Sequence, residues 1–199
     1  MRLPECGPGE RLVGVAVAVP EPYRTELHEA RARSGDPDAA HVHPHVTLVG
    51  PTPVPRGAGG DVDAHLRAVA DAHAPFEVHL RGAATFRPVT PVVFVPLLRG
   101  APECTAIERA LRAGPLAHEP RYAFHPHVTV AHELDEAALD AAQAAMAGYE
   151  ATFLVTHLHR FVHDGHAWQE ERAYPLRGGV PRDGAPRHGR PDAAVVRPT

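Results

Sequence analysis

Lysine is absent: all 20 basic residues of this 199-residue chain are arginine. That excludes chemistries that run through a side-chain amine, because a Schiff-base enzyme, a P-loop NTPase and an ATP-dependent ligase that adenylylates lysine all need one. Cysteine is nearly absent too. The two present, Cys6 and Cys104, make neither a disulfide framework nor a Cys-x-x-Cys metal site. Aromatic residues are 6% of the chain, so few side chains could stack on a nucleobase. Tyr122, Phe124 and Trp168 are the candidates, with Tyr122 foremost. Long apolar runs are missing as well. The longest early one, Leu12 to Val19, falls short of the roughly 20 residues a spanning helix needs and lacks the flanks of a signal peptide. A cytoplasmic protein with no membrane contact is the expectation.

The 44% hydrophobic and 22% charged residues are ordinary for a globular chain. Residues 1–176 are expected to form one bilobal domain. Residues 177–199, rich in Gly, Pro and Arg, have little to bury and are expected to be a disordered tail. That tail carries five Arg and two Asp, so residues 1–176 hold a formal −7 against −4 for the whole. Proteins that grip long nucleic acids carry basic surfaces, since phosphate neutralisation supplies much of their affinity. No long duplex nucleic acid is therefore expected as a partner.

Histidine, by contrast, is abundant at 16 residues, and the pentapeptide His-Pro-His-Val-Thr occurs twice, at 43–47 and 125–129. Such a repeat points to a duplicated unit with two matching half-sites. On a β-strand, His45 and Thr47 share one face while Val46 and Leu48 share the other, and His127, Thr129, Val128 and Val130 repeat the arrangement. The apolar face anchors the strand; the polar face is free. An imidazole can move a proton and a hydroxyl can donate to a phosphate oxygen, so two such pairs supply an acid, a base and two phosphate contacts. His43 and His125 could orient the imidazoles that follow, and Pro44 and Pro126 mark strand entries. His157 and His159 read as a wetted sheet face.

Three rival readings come from the same residues. His41, His43 and His45 could share a face as metal ligands, though Thr at the repeated position is a poor ligand. The same segment also fits a histidine-triad-like nucleotide hydrolase, which leaves the second copy unexplained. The third rival is a nucleotide- or RNA-end-binding module without turnover.

Periodicity predicts a strand at Leu12 to Val19 and a helix from Pro22 to Arg33, then the first His-Thr strand and a Pro/Gly-rich loop from Pro51 to Gly60. A helix on Val62, Leu66 and Val69 leads to strands near Phe76 to Phe86 and Val92 to Leu98, which would complete a first lobe. The second lobe repeats the order: a helix from Pro102 to Arg112, the second His-Thr strand and a helix on Leu139, Ala142 and Met146. A strand from Thr152 to Val162 then turns through Asp164-Gly165 into one from His166 to Leu176. Helices segregated from long hairpin-joined strands argue for an α+β fold with mainly antiparallel sheets.

With its two His-x-Thr-x motifs, His45 to Leu48 and His127 to Val130, 82 residues apart from 45 to 127, the chain resembles the 2H phosphoesterases over about Leu12 to Leu176. That family includes the bacterial RNA 2',3'-cyclic phosphodiesterases, also called 2'-5' RNA ligases. The resemblance implies two pseudo-twofold-related lobes, each a mainly antiparallel sheet with outer helices, flanking a central cleft. It also implies His45 and His127 as the catalytic pair and Thr47 and Thr129 on the phosphate, with no metal or cofactor. The implied substrate is a small cyclic-phosphate nucleotide or an RNA terminus, opened to a 2'-phosphomonoester, with 2'-5' joining as the reverse reaction. His45 is expected to protonate the departing ribose oxygen and His127 to activate water. The pattern departs at one point: where such enzymes often carry arginine after the second motif, this chain has Ala131 and His132, the latter a candidate phosphate contact only when protonated.

Overall fold

A computed structural model describes residues 3–178, so the expected tail lies outside the described residues except for Arg177 and Gly178. The chain opens with β1 (Glu10–Ala18), in which Val13, Val15 and Val17 alternate with Gly14, Ala16 and Ala18. The valines fill the core and the small residues face the other way. Next come α1 (Tyr23–Arg33) and a short 3-10 helix at Pro37–Ala40. They lead to β2 (His45–Pro55), the first motif strand, which begins directly after Pro44 as expected.

α2 (Gly59–Ala72) buries Val62, Leu66 and Val69 as the sequence predicts, each fully buried aliphatic contributing about 1.5–3 kcal/mol. There follow β3 (Phe76–Arg81), the two-residue β4 (Ala84–Thr85), β5 (Val92–Arg99) and α3 (Ala101–Arg112). β6 (His127–His132) is the second motif strand, and α4 (Glu136–Ala145) starts at Asp135, whose carboxylate accepts from the Ala138 N–H at 2.8 Å. β7 (Glu150–Val155), β8 (His157–His163) and β9 (Trp168–Pro175) complete the fold.

Every strand pair is antiparallel, in two sheets. One has the order β2-β1-β8-β9. In the other, β5 carries β6 on one edge and β4 on the opposite edge, with β3 next to β5 and β7 next to β3. This corrects the expected lobes: β3 and β5 do not complete the first sheet. That sheet is completed by β8 and β9 from the far end of the chain, because the predicted strand from Thr152 to Val162 breaks at Thr156 and its halves join different sheets. Each half of the chain thus lends strands to the other's sheet. The β8–β9 turn also shifts by one residue. Its closing bond runs from the Asp164 N–H to the Ala167 carbonyl at 3.1 Å, so Gly165 and His166 are central, and Gly165 takes the positive φ of +106°.

The two motif strands lie at sheet edges that meet, with Cα atoms of β2 and β6 within 8 Å of each other. α1 packs on β6 and α3 on β2, so each motif strand is backed by a helix from the opposite half. No helix among the described residues is long and apolar enough to cross a membrane.

Candidate active site

The two half-sites are built alike down to their irregularities. Ala18, Ala16 and Val15 pair with His45, Thr47 and Val49, leaving Leu48 as an extra residue in β2. Pro96, Phe94 and Val93 pair with His127, Thr129 and Ala131, leaving Val130 extra in β6. Both bulges therefore fall directly after the threonine. A bulge shifts side-chain alternation by one, so Leu48 and Val49, like Val130 and Ala131, are both buried. The residue after each pair, Gly50 in one copy and His132 in the other, is brought back to the face that holds the His and Thr. Without the bulge His132 would point to the opposite face.

The imidazoles are held identically. His45 Nδ1–H donates to the His43 carbonyl at 2.7 Å, and His127 Nδ1–H donates to the His125 carbonyl at 2.7 Å. A donating Nδ1 leaves the lone pair of the neutral ring on Nε2, the atom aimed outward. The Thr47 hydroxyl lies 3.0 Å from His45 Nε2. His43 and His125, singled out as candidates to orient the motif histidines, do so through their backbone carbonyls rather than their side chains. The His43 ring lies near His28, and the His125 ring lies 6.3 Å from that of His127, against the same Phe86 and Phe94.

Surroundings distinguish the two sites. Phe86 and Phe94 stack at 4.1 Å, and both ring centroids lie 5.0 Å from that of His127. This apolar wall disfavours the charged imidazole. Burial pushes the His127 pKa down to about 4, the positive charge tendencies of His125 and His45 add to the depression, and the bond to the His125 carbonyl opposes it. Burial likewise lowers His45, helped by the Arg31 guanidinium and by His43. That His127 feels His45 agrees with their strands lying side by side. Arg31 is itself buried and paired to buried Asp36 at 2.7 Å, which ties the end of α1 to the segment entering β2.

The family model described as the 2'-5' RNA ligase superfamily matches residues 19–167. The chain belongs to that superfamily. Among curated relatives, a Bacillus cytotoxicus protein named "Putative phosphoesterase" is 34% identical over 102 residues, which are 51% of this chain and 59% of that protein, so the match spans about three fifths of the relative's length. A Bacillus pumilus protein of the same name is 30% identical over 120 residues, 60% of this chain and 70% of its own. Among solved structures, a Thermus thermophilus protein superposes with a TM-score of 0.60 at 23% identity, covering 84% of this chain and 99% of that one. E. coli LigT complexed with 3'-AMP gives 0.61 at 17%, covering 84% and 98%. These structural likenesses concern the fold.

The other residues singled out in this superfamily member scatter. Tyr122 is 48% exposed beneath the Arg121 guanidinium in the loop before β6, and Phe124 packs on the core. His132 shares the His127 face, with Nε2 3.6 Å from Glu133. His41 ends the 3-10 helix rather than lying on β2, so it shares no strand face with His45. No group of three or more His, Cys, Asp or Glu among the described residues is arranged to hold a metal ion. The sequence reading missed Phe86, Phe94 and Arg31, whose importance depends on pairings between distant segments.

Proposed function

We propose that this protein is a phosphoesterase that opens a 2',3'-cyclic phosphate to a 2'-phosphomonoester by paired histidine acid-base catalysis without a metal. The observation that carries the proposal is the meeting of the two motif strands with both imidazoles fixed through Nδ1, which leaves Nε2 for proton transfer, at His45 beside the Thr47 hydroxyl. Water attacks phosphorus as His127 Nε2 takes its proton. The bond from phosphorus to O3' breaks as His45 Nε2–H protonates the departing oxygen. Thr47 and Thr129 hydroxyls donate to the non-bridging oxygens, where charge accumulates. The cycle leaves His127 protonated and His45 neutral, and exchange with solvent resets both.

The lowered pKa values fit this scheme once substrate is counted. An anionic diester about 4 Å from an imidazolium favours it by roughly 4 kcal/mol at an effective dielectric of 20, near three pKa units. The anion thereby opposes the burial that disfavours a charged His45, the intended acid. The relatives named as phosphoesterases and the nucleotide-bound LigT support the same substrate class. The test is incubation with nucleoside 2',3'-cyclic phosphates with and without EDTA. The expected result is a 2'-phosphomonoester at a rate EDTA does not change and that His127→Ala abolishes. Binding without product would make the protein a sensor, and loss of product in EDTA would point to metal chemistry.

A further inference from the structure

The phenyl wall belongs to one half-site. Opposite His127 and Thr129 stand Pro96 and Phe94, where His45 and Thr47 have Ala18 and Ala16. Half of that wall, Phe86, is delivered by a loop with no anchor of its own in the core. Residues 86–91 join β4 to β5 and none of them is buried; Val89 at the tip is 70% exposed. Backbone bonds shape the turn, the Val89 and Thr90 N–H groups donating to the Phe86 carbonyl at 2.9 and 3.2 Å. They do not by themselves fasten it to the body of the protein. The Pro91 end is fastened by the Glu133 N–H, which donates to the Pro91 carbonyl at 3.0 Å.

At the Phe86 end the fastening is a side chain. While Phe86 stands against His127, the next residue, Arg87, reaches α4. Its Nη1 donates to Glu136 at 2.6 Å, and its Nη2 donates to Asp140 at 2.8 Å and to Gln143 at 3.2 Å. Its Nε donates at 3.1 Å to the Thr85 hydroxyl, which in turn donates to the Val92 carbonyl at 2.8 Å. Positions 136, 140 and 143 form one stripe of the helix, so a single planar fork joins α4, the loop and the β4–β5 ladder. α4 follows β6 after three residues, and the circuit therefore returns to the strand that carries His127. Both carboxylates are largely exposed, and exposed ion pairs contribute little to stability. What the fork supplies is direction, because a guanidinium engaged on three sides has one placement.

We infer that Arg87 is a positioning residue: by fastening residues 86–91 to α4 it keeps the Phe86 ring against Phe94 and His127, and so makes one histidine of the duplicated pair unlike the other. This rests on the proposed role of His127 as the base. The titratable side chains that reach His127 are His125 on its own strand and His45 on β2, with His132 farther along the same face of β6. β5 and the loop present Pro96, Phe94 and Phe86, which carry no charge.

The test is an NMR titration of His127 in the full chain, its signal identified by its loss in His127→Gln. Arg87→Met removes a positive charge together with the fork. Glu136→Ala combined with Asp140→Ala removes two negative charges together with the fork's acceptors, at exposed positions the fold does not depend on. Loss of charge alone would move the His127 midpoint up in the first variant and down in the second. A loosened Phe86 moves it up in both, by roughly one pH unit toward the ordinary value near 6.5. Arg87→Lys should fall between, since one ammonium cannot replace a planar fork. The acid limb of kcat/KM should rise with the midpoint, and His45 should stay where it is. Midpoints that move in opposite directions, an unmoved midpoint in the folded variants, or an equal rise at His45 would overturn the inference. A rise at His127 in both variants with no hydrolysis of a 2',3'-cyclic phosphate by the wild type would sink the proposed chemistry and leave Arg87 as the residue that positions the wall.

Discussion

His45 and His127 share a backbone and differ in company. His127 stands against two phenyl rings, while His45 stands beside Thr47 with Arg31 nearby. Each should cost a hundredfold or more in kcat when changed to alanine, roughly the range for a lost acid or base, and the double variant should lose little more because the pair acts as a unit. Unperturbed imidazoles would place both limbs of the rate profile between about pH 6 and 8. Burial moves the limb belonging to His127 in the free protein to about pH 4, so kcat/KM should persist well below pH 6. Replacing Phe86 by serine admits water beside the ring and should raise that limb, which a pH series of kcat/KM or an NMR titration of the histidine would detect. An unmoved limb would mean the phenyl wall does not set it.

Between residue and molecule, the elements that matter are the paired bulges and the buried Arg31–Asp36 link. Removing one partner of a buried ion pair strands a charge, so Arg31→Met should cost about 3–5 kcal/mol. That is on the order of 10 °C in Tm for a chain of this size. Arg31→Met combined with Asp36→Leu should recover most of the loss in thermal denaturation, because no buried charge is then stranded, Asp38, the other carboxylate near Arg31, being partly exposed. The motif strands, their polar faces and most helices were legible in the sequence, since His45, Thr47, Val46 and Leu48 obey simple alternation up to the bulge. The bulges were not. They depend on register against β1 and β5, which no local pattern encodes, and they decide that His132 and not Ala131 faces the site. The exchanged strands were hidden for a related reason: Thr152 to Val162 reads as one continuous strand, and only pairing with β3 and β1 divides it.

For the whole molecule, the buried histidines make stability depend on pH. Their folded pKa values lie below the unfolded value near 6.5, so the unfolded chain binds more protons at low pH. Their contribution is intact above about pH 6.5 and is lost as pH falls toward 4, by about 3 kcal/mol for His127. Inorganic phosphate, by favouring charged imidazoles in the folded state, should flatten this decline in a series of denaturant midpoints from pH 7 to 4. A decline that phosphate leaves unchanged would separate the histidines from any anion. The exchange of β3 and β8 has a further consequence. A polypeptide ending after β4 would hold β1 and β2 without the neighbour β1 requires, and its β3 would have no mate. Severed between β4 and β5, the two fragments should remain unstructured apart and regain a shared structure when mixed. A primitive gene encoding one such fragment would have needed two copies of its product, interlocked, before any pair of imidazoles could meet.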